Sequence, residues 1–160
     1  MKNRPTNRIQ LTGGSNNFVT KGDLEANFSR FRKAKEAISA AKKLLDGTKQ
    51  LSASAARAVY RQYPLIVDAK SETALTEKQK KDFVQGISDL LRIVQYCLVI
   101  GDTGPLDEFL PGRLEYYRAS GQLVTWYLTA LEYLKTHSPL ESDEALEANY
   151  YFDYLIRSMS

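Results

Sequence analysis

The chain has 160 residues, of which 43% are hydrophobic and 26% charged, with a formal net charge of +3. That length suits one globular domain, residues 1–160, able to bury roughly two-thirds of its unfolded surface. One cysteine excludes an internal disulfide framework, and the longest apolar run, Tyr96 to Ile100, is far shorter than a membrane span. The opening Met1-Lys-Asn-Arg-Pro-Thr-Asn-Arg8 leads into no apolar signal core, so a cytoplasmic or stromal location without membrane insertion is expected.

Charge is uneven along the chain. Residues 1–70 hold 14 Lys and Arg against 5 Asp and Glu, and residues 71–160 hold 8 against 14. The cations sit singly along helical stretches, without an aromatic-interleaved patch, so nucleic acid is not an expected partner. The layout suits head-to-tail stacking or a partner of opposite pattern. No metal-ligand spacing, Gly-rich phosphate loop or nucleophile elbow is present, so neither a metal site nor an enzyme is expected.

In chain order, residues 1–19 form a polar arm that admits a short helix over Pro5–Leu11. The turn signal Gly13-Gly14-Ser15-Asn16-Asn17 follows it. Thr20 and Asp23 have the spacing of a helix N-cap with an acidic third position. Leu24, Phe28, Phe31, Ile38, Ala41 and Leu45 then keep a helical stripe that runs to Gly47. A separate helix is predicted over Ser52–Gln62, ending before Pro64, with an exposed loop over residues 65–75. The central helix, Lys81–Ile100, places Phe83, Ile87, Leu90, Leu91, Val94 and Leu98 on one face. Asp82, Gln85, Asp89 and Arg92 are left for solvent or a partner.

Gly101 suits the residue just past that helix. Leu106, Phe109 and Leu110 predict a short helix that Pro111-Gly112 interrupts, and Leu114–Arg118 predicts a further turn or two. Leu123, Tyr127, Leu131 and Leu134 mark a helix closing at His137, whose ring suits the negative end of the helix dipole. Ser138-Pro139-Leu140-Glu141 reads as N-cap, proline at the first position and acid at the third, opening a last helix through Leu146, Phe152 and Met159. Nothing reads as a strand. The fold class is all-α, with about six to eight helices.

Several long stretches resemble the phycobiliprotein family, in particular its phycocyanin α subunits. They include Phe28-Ser-Arg-Phe-Arg-Lys-Ala-Lys35, Ala55-Ala-Arg-Ala-Val-Tyr-Arg-Gln-Tyr-Pro64 and Tyr96-Cys-Leu-Val-Ile-Gly-Asp-Thr-Gly-Pro-Leu-Asp-Glu108. Trp126-Tyr-Leu-Thr-Ala-Leu-Glu-Tyr-Leu-Lys135 and Glu147-Ala-Asn-Tyr-Tyr-Phe-Asp-Tyr154 extend the likeness. The resemblance implies a globin-like core preceded by two N-terminal helices, here within residues 1–32, that dock on a partner subunit. It also implies a place in the phycobilisome, in the cytoplasm at the thylakoid surface.

Members of that family carry an open-chain tetrapyrrole on a cysteine of the central helix. An Asp carboxylate accepts hydrogen bonds from the pyrrole N–H groups, and an Arg pairs with a propionate. The pattern is Cys-x-Arg-Asp, four residues, then Leu-Arg-x-x-x-Tyr. Leu91-Arg92 and Tyr96 match it here, but the attachment positions read Phe83-Val84-Gln85-Gly86. Phe83 has no nucleophile, Gln85 no charge for a propionate and Gly86 no carboxylate. Covalent pigment is therefore not expected, and Cys97, about 21 Å further along the helix axis, is too distant to replace the anchor. Phe83→Cys with Gln85→Arg and Gly86→Asp should restore attachment if the surrounding pocket is intact.

Trp126 and Tyr127 match family residues near the pigment, which leaves two readings, ordinary core packing or a residual ligand pocket. In the N-terminal region Phe18, Phe28, Arg30, Phe31 and Arg32 match the family's docking surface. Gly13 stands where an Asp would meet the β subunit, and Arg4 and Arg8 make the arm basic. The leading expectation is a non-pigmented protein that binds a β-like subunit, another phycobilisome component or a second copy of itself. Non-covalent binding of a bilin or other small ligand, and an antenna subunit's role, remain as alternatives. A bilin-attaching enzyme has no catalytic constellation behind it.

Overall fold

A computed structural model describes residues 19–160, and they fall into two units, one ending at Lys33 and one spanning Ala34–Ser160. Helix α1 runs continuously from Lys21 to Gln62. It is followed by a short 3-10 turn, Pro64–Ile66, and by α2 (Glu77–Ile100), α3 (Gly104–Ala119), α4 (Val124–His137) and α5 (Ser142–Met159). No strand occurs among the described residues. The expected helix at Pro5–Leu11, and Arg4, Arg8, Gly13 and Phe18, lie outside them.

In the unit that ends at Lys33, the expected cap is present. The Asp23 N–H donates to Thr20 Oγ1 at 3.1 Å, and the Thr20 N–H donates to Asp23 Oδ2 at 2.7 Å. The Thr20 hydroxyl, which donates to Asp23 Oδ2 at 2.7 Å, and then the Thr20 N–H hold the Asp23 carboxyl below its ordinary range.

In the second unit, α2 is buried on most of its circumference and packs against α3, α4 and α5. It begins four residues earlier than its periodicity indicated. Thr76 and Gln79 exchange side-chain-to-backbone hydrogen bonds of 3.2 and 2.9 Å that fix its first turn. Gly101 ends it with φ of 77°, a conformation that favours glycine. α2 is long and apolar enough to cross a membrane, but half of that stretch lies inside the protein, so core packing accounts for its composition.

Three sequence expectations are corrected. No break separates Gly47 from Ser52, because burial on both sides outweighs the local preference. Gly47 costs about 1 kcal/mol in a helix, whereas full burial of a leucine such as Leu44 contributes about 1.5–3 kcal/mol. The Thr48 hydroxyl also donates to the Leu44 carbonyl at 2.8 Å and accepts from Gln95 Nε2 at 2.9 Å, tying this stretch to α2. Secondly, α3 passes straight through Pro111-Gly112. The proline removes one backbone donor at a cost of about 3 kcal/mol. Leu106 and Leu110 before it and Tyr117 after it are buried and hold the helix together.

The third correction concerns the start of α5, which is capped by Glu141, not Ser138. The Ser138 N–H donates to the Leu134 carbonyl at 3.1 Å and so closes α4. The deciding contact is tertiary. Glu144, only 4% exposed, accepts from Lys43 Nζ at 2.8 Å, Ser39 Oγ at 2.6 Å and the Glu141 N–H at 2.9 Å. The loop expected to be exposed over residues 65–75 is also partly anchored. Ile66 is buried, and its carbonyl accepts from the Leu75 N–H at 2.8 Å.

Lys43, then Ser39 and the Glu141 N–H, hold the Glu144 carboxyl at about 2, below its ordinary 4.5. A depressed folded-state value means the ionised form stabilises the fold above about 4.5 and that contribution disappears as pH falls towards about 2. Glu144→Gln should therefore unfold at lower urea than the parent at pH 7. The two denaturation midpoints should converge between pH 4.5 and pH 2, because the parent's carboxylate is protonated in that interval.

Candidate functional site

Phe83 and Gly86 of α2 lie against a cluster of rings. Phe83 is fully buried. Its ring lies 5.0 Å from Tyr127 and 6.2 Å from Trp126, both edge-on, and 6.0 Å from Tyr60. Tyr117 of α3 stacks on Tyr127 at 3.9 Å with 13° between the planes. Four elements thus meet in this cluster, and the edge-to-face placement of Phe83 against Trp126 and Tyr127 suits the ring quadrupoles.

Trp126 and Tyr127 are both buried and face Phe83. The Tyr127 hydroxyl donates to Oε1 of Gln122, itself only 5% exposed. Burial pushes the Tyr127 and Tyr117 phenols well above their ordinary value, so both rings are neutral. The hydroxyls of Tyr60 and Tyr117 have no hydrogen-bond partner among the described residues.

Gln85 points away from the rings. Its amide donates to Asp89 Oδ1 at 2.9 Å, and Arg113 donates to Asp89 Oδ2 at 2.8 Å. The Arg113 guanidinium also lies 4.8 Å above the Phe109 ring and 5.8 Å from that of Tyr116. Asp89, left for solvent or a partner on periodicity, is thus engaged within the chain and ties α2 to α3. Gly86 has no side chain, and the Tyr127 ring occupies the space beside it.

Cys97 is buried at the far end of α2, and burial pushes its thiol up, which disfavours the nucleophilic thiolate. His137 stacks on Tyr133 at 4.0 Å, and its Nδ1 lies 3.0 Å from the Tyr133 carbonyl at the end of α4.

Tyr117, Gln122 and the pairing of Asp89 with Arg113 carry no motif in the sequence. Tyr117 was the most accessible of them, since it continues the spacing of Leu106 and Leu110 once α3 is taken as continuous. Gln122 carries no such signal. Its partner is fixed by the turn that leads from α3 into α4.

The residues at positions 83, 85 and 86 do not fit covalent attachment of a linear tetrapyrrole. The volume beside positions 83 and 86 is taken by Phe83, Tyr127 and Tyr117. The cation at 113 is spent on Asp89, and position 85 holds a neutral amide.

Helices gathered around a buried central one, with an aromatic-filled cleft at its first turns, define an all-α protein of globin-like type. The phycobilisome protein family model matches residues 9–159. The chain is 33% identical over 162 residues to the phycoerythrocyanin alpha chain of a Nostoc species, covering all of both chains. It is 34% identical over 165 residues to the C-phycoerythrin alpha chain of Pseudanabaena tenuis, again in full. The B-phycoerythrin alpha chain of Rhodella violacea is 27% identical over 165 residues. The chain belongs to the phycobilisome protein family, and its likeness is to the alpha chains.

Because Phe83 joins α1, α2 and α4 through Tyr60, Tyr127 and Trp126, Phe83→Ala should cost about 3–5 kcal/mol of stability in urea denaturation. A loss under about 1 kcal/mol would mean that the ring is not part of the core.

Proposed function

We propose that this chain is a phycobilisome-associated, α-subunit-like protein that carries no covalent pigment and works by contact with other proteins. The observation that carries the reading is Phe83, a fully buried phenyl ring at the position where the family's pattern has its anchoring thiol. A phenyl ring cannot add to a double bond of the pigment. No catalytic role is proposed, since the cluster around it consists of neutral rings and an amide.

The docking surface proposed is the first part of α1. Leu24, Phe28 and Phe31 fall on one helical face, and the two phenylalanines are 72% and 74% exposed. Arg30 and Arg32 flank them. Large aromatic side chains beside arginines are the composition of interface cores. The partner is a β-like phycobiliprotein subunit or another phycobilisome component, and self-association is the variant that needs no second protein. On this reading the protein sits with phycobilisomes at the thylakoid surface.

Two measurements check this. Produced together with bilin synthesis and the bilin lyases, the denatured chain should show no zinc-enhanced fluorescence on a gel, and a fluorescent band at 18.1 kDa would refute the pigment-free reading.

For docking, light scattering should show assembly of the intact protein, alone or with a phycocyanin β subunit. Phe28→Asp with Phe31→Asp should weaken it at least about tenfold, the loss of about 1.4 kcal/mol that one good contact supplies. An intact protein that stays monomeric, indifferent to β and unchanged by the double substitution, would remove the docking proposal.

A further inference from the structure

Position 86 and the Tyr127 ring compete for one volume. A Cβ placed on Gly86 would lie 2.5 Å from Tyr127 Oη, 2.9 Å from Cε1 and 3.1 Å from Cζ. Non-bonded heavy atoms rest about 3.5–4.0 Å apart, so every side chain larger than hydrogen meets the ring first. A side chain at 86 would have to displace the ring from a packed position. Tyr117 stacks on it at 3.9 Å, Phe83 abuts it at 5.0 Å, and buried Gln122 accepts its hydroxyl hydrogen.

Glycine in a helix interior is a local loss relative to alanine. Here it permits an aromatic side chain to lie directly against the backbone of α2. Loss of the side chain at 86 and the position of Tyr127 are therefore two halves of one arrangement.

We infer that Tyr127, admitted by Gly86, is the plug that closes the family's pigment cleft in this chain, so the cleft rejects a linear tetrapyrrole whether or not a thiol is present to anchor it. The inference rests on reading Phe83, Gln85 and Gly86 as the family's attachment positions. It goes further, in placing the exclusion in a residue that the sequence shares with the family. It also revises the expectation for Phe83→Cys/Gln85→Arg/Gly86→Asp. The new side chain at 86 takes the volume that the Tyr127 ring fills, so Gly86→Asp acts by displacing the plug as well as by supplying the acceptor.

The test has a steric arm and a pigment arm. In the parent, Gly86→Ala should lower the thermal unfolding midpoint. In a Tyr127→Ala background the same change should raise it, because the clash is gone and only the helix preference is left. An equal loss in both backgrounds would overturn the interlock.

In the pigment arm, Phe83→Cys/Gln85→Arg, which keeps Gly86, and the same variant with Tyr127→Ala are each produced with phycocyanobilin and lyases. Attachment adds the thiol across the ethylidene double bond, sulfur to one carbon and a proton to the other, with nothing leaving. The variant that keeps Tyr127 should stay colourless, and the one with Tyr127→Ala should show the zinc-fluorescent band. Equal pigmentation of the two, or none in the variant with Tyr127→Ala, would overturn the role of Tyr127. These outcomes are separate from the proposed function, which fails only if the parent chain itself carries pigment or does not dock.

Discussion

Close contact between α4 and α2 at Gly86 is the constraint on which the centre of this protein depends. With no side chain at that position, the Tyr127 ring reaches the α2 backbone and can stack on Tyr117 while meeting the edge of Phe83. A larger residue at 86 would move Tyr127, and with it the contacts of α3 and α4 to the central helix. The energy gained is that of burying rings in favourable relative orientations, about 0.5–1.5 kcal/mol for each ring pair beyond the area term. The penalty of a helical glycine is of similar size and is incurred once.

Polar contacts complement this apolar centre by fixing how the helices sit around it. Gln95 and Thr48 join α2 to α1 through a buried hydrogen bond, Glu144 joins α5 to Lys43 and Ser39 of α1, and Asp89 joins α2 to Arg113 of α3. Dispersion and ring stacking tolerate small slides of one helix past another. A buried donor or acceptor left without its partner costs about 1–3 kcal/mol, so each of these pairs penalises a slipped arrangement. The Asp89–Arg113 pair also engages the charge nearest the aromatic cleft, which leaves the neutral Gln85 amide as the polar group at positions 83–86.

The first part of α1 has a different physical character. Its apolar residues face solvent, whereas the apolar residues of α1 from Ala37 to Val59 are largely buried. Helices of this kind gain most of their stability from packing an apolar face. The proposed docking rests on the apolar face left in water over residues 24–31.

Much of this was readable from residues alone. The all-α class, the central helix and the core residues Phe83, Ile87, Leu90, Leu91 and Val94 follow from a 3.6-residue period that burial then respects. The missing thiol, guanidinium and carboxylate at 83, 85 and 86 are visible without coordinates, because they are properties of residue types. Helix ends were less legible. Gly47, Pro111 and Ser138 carry strong local signals, and each was overridden by contacts from residues distant in sequence: Gln95 bonded to Thr48, Leu106 and Tyr117 buried on either side of Pro111, and Lys43 drawing Glu144 into the cap of α5. The plug was not legible at all. Nothing in the local sequence around Tyr127 shows that its ring would lie within reach of position 86, 41 residues earlier in the chain. That depends on α4 crossing α2 at its one internal glycine, and only the tertiary structure decides where two helices come close enough for a missing methyl group to matter.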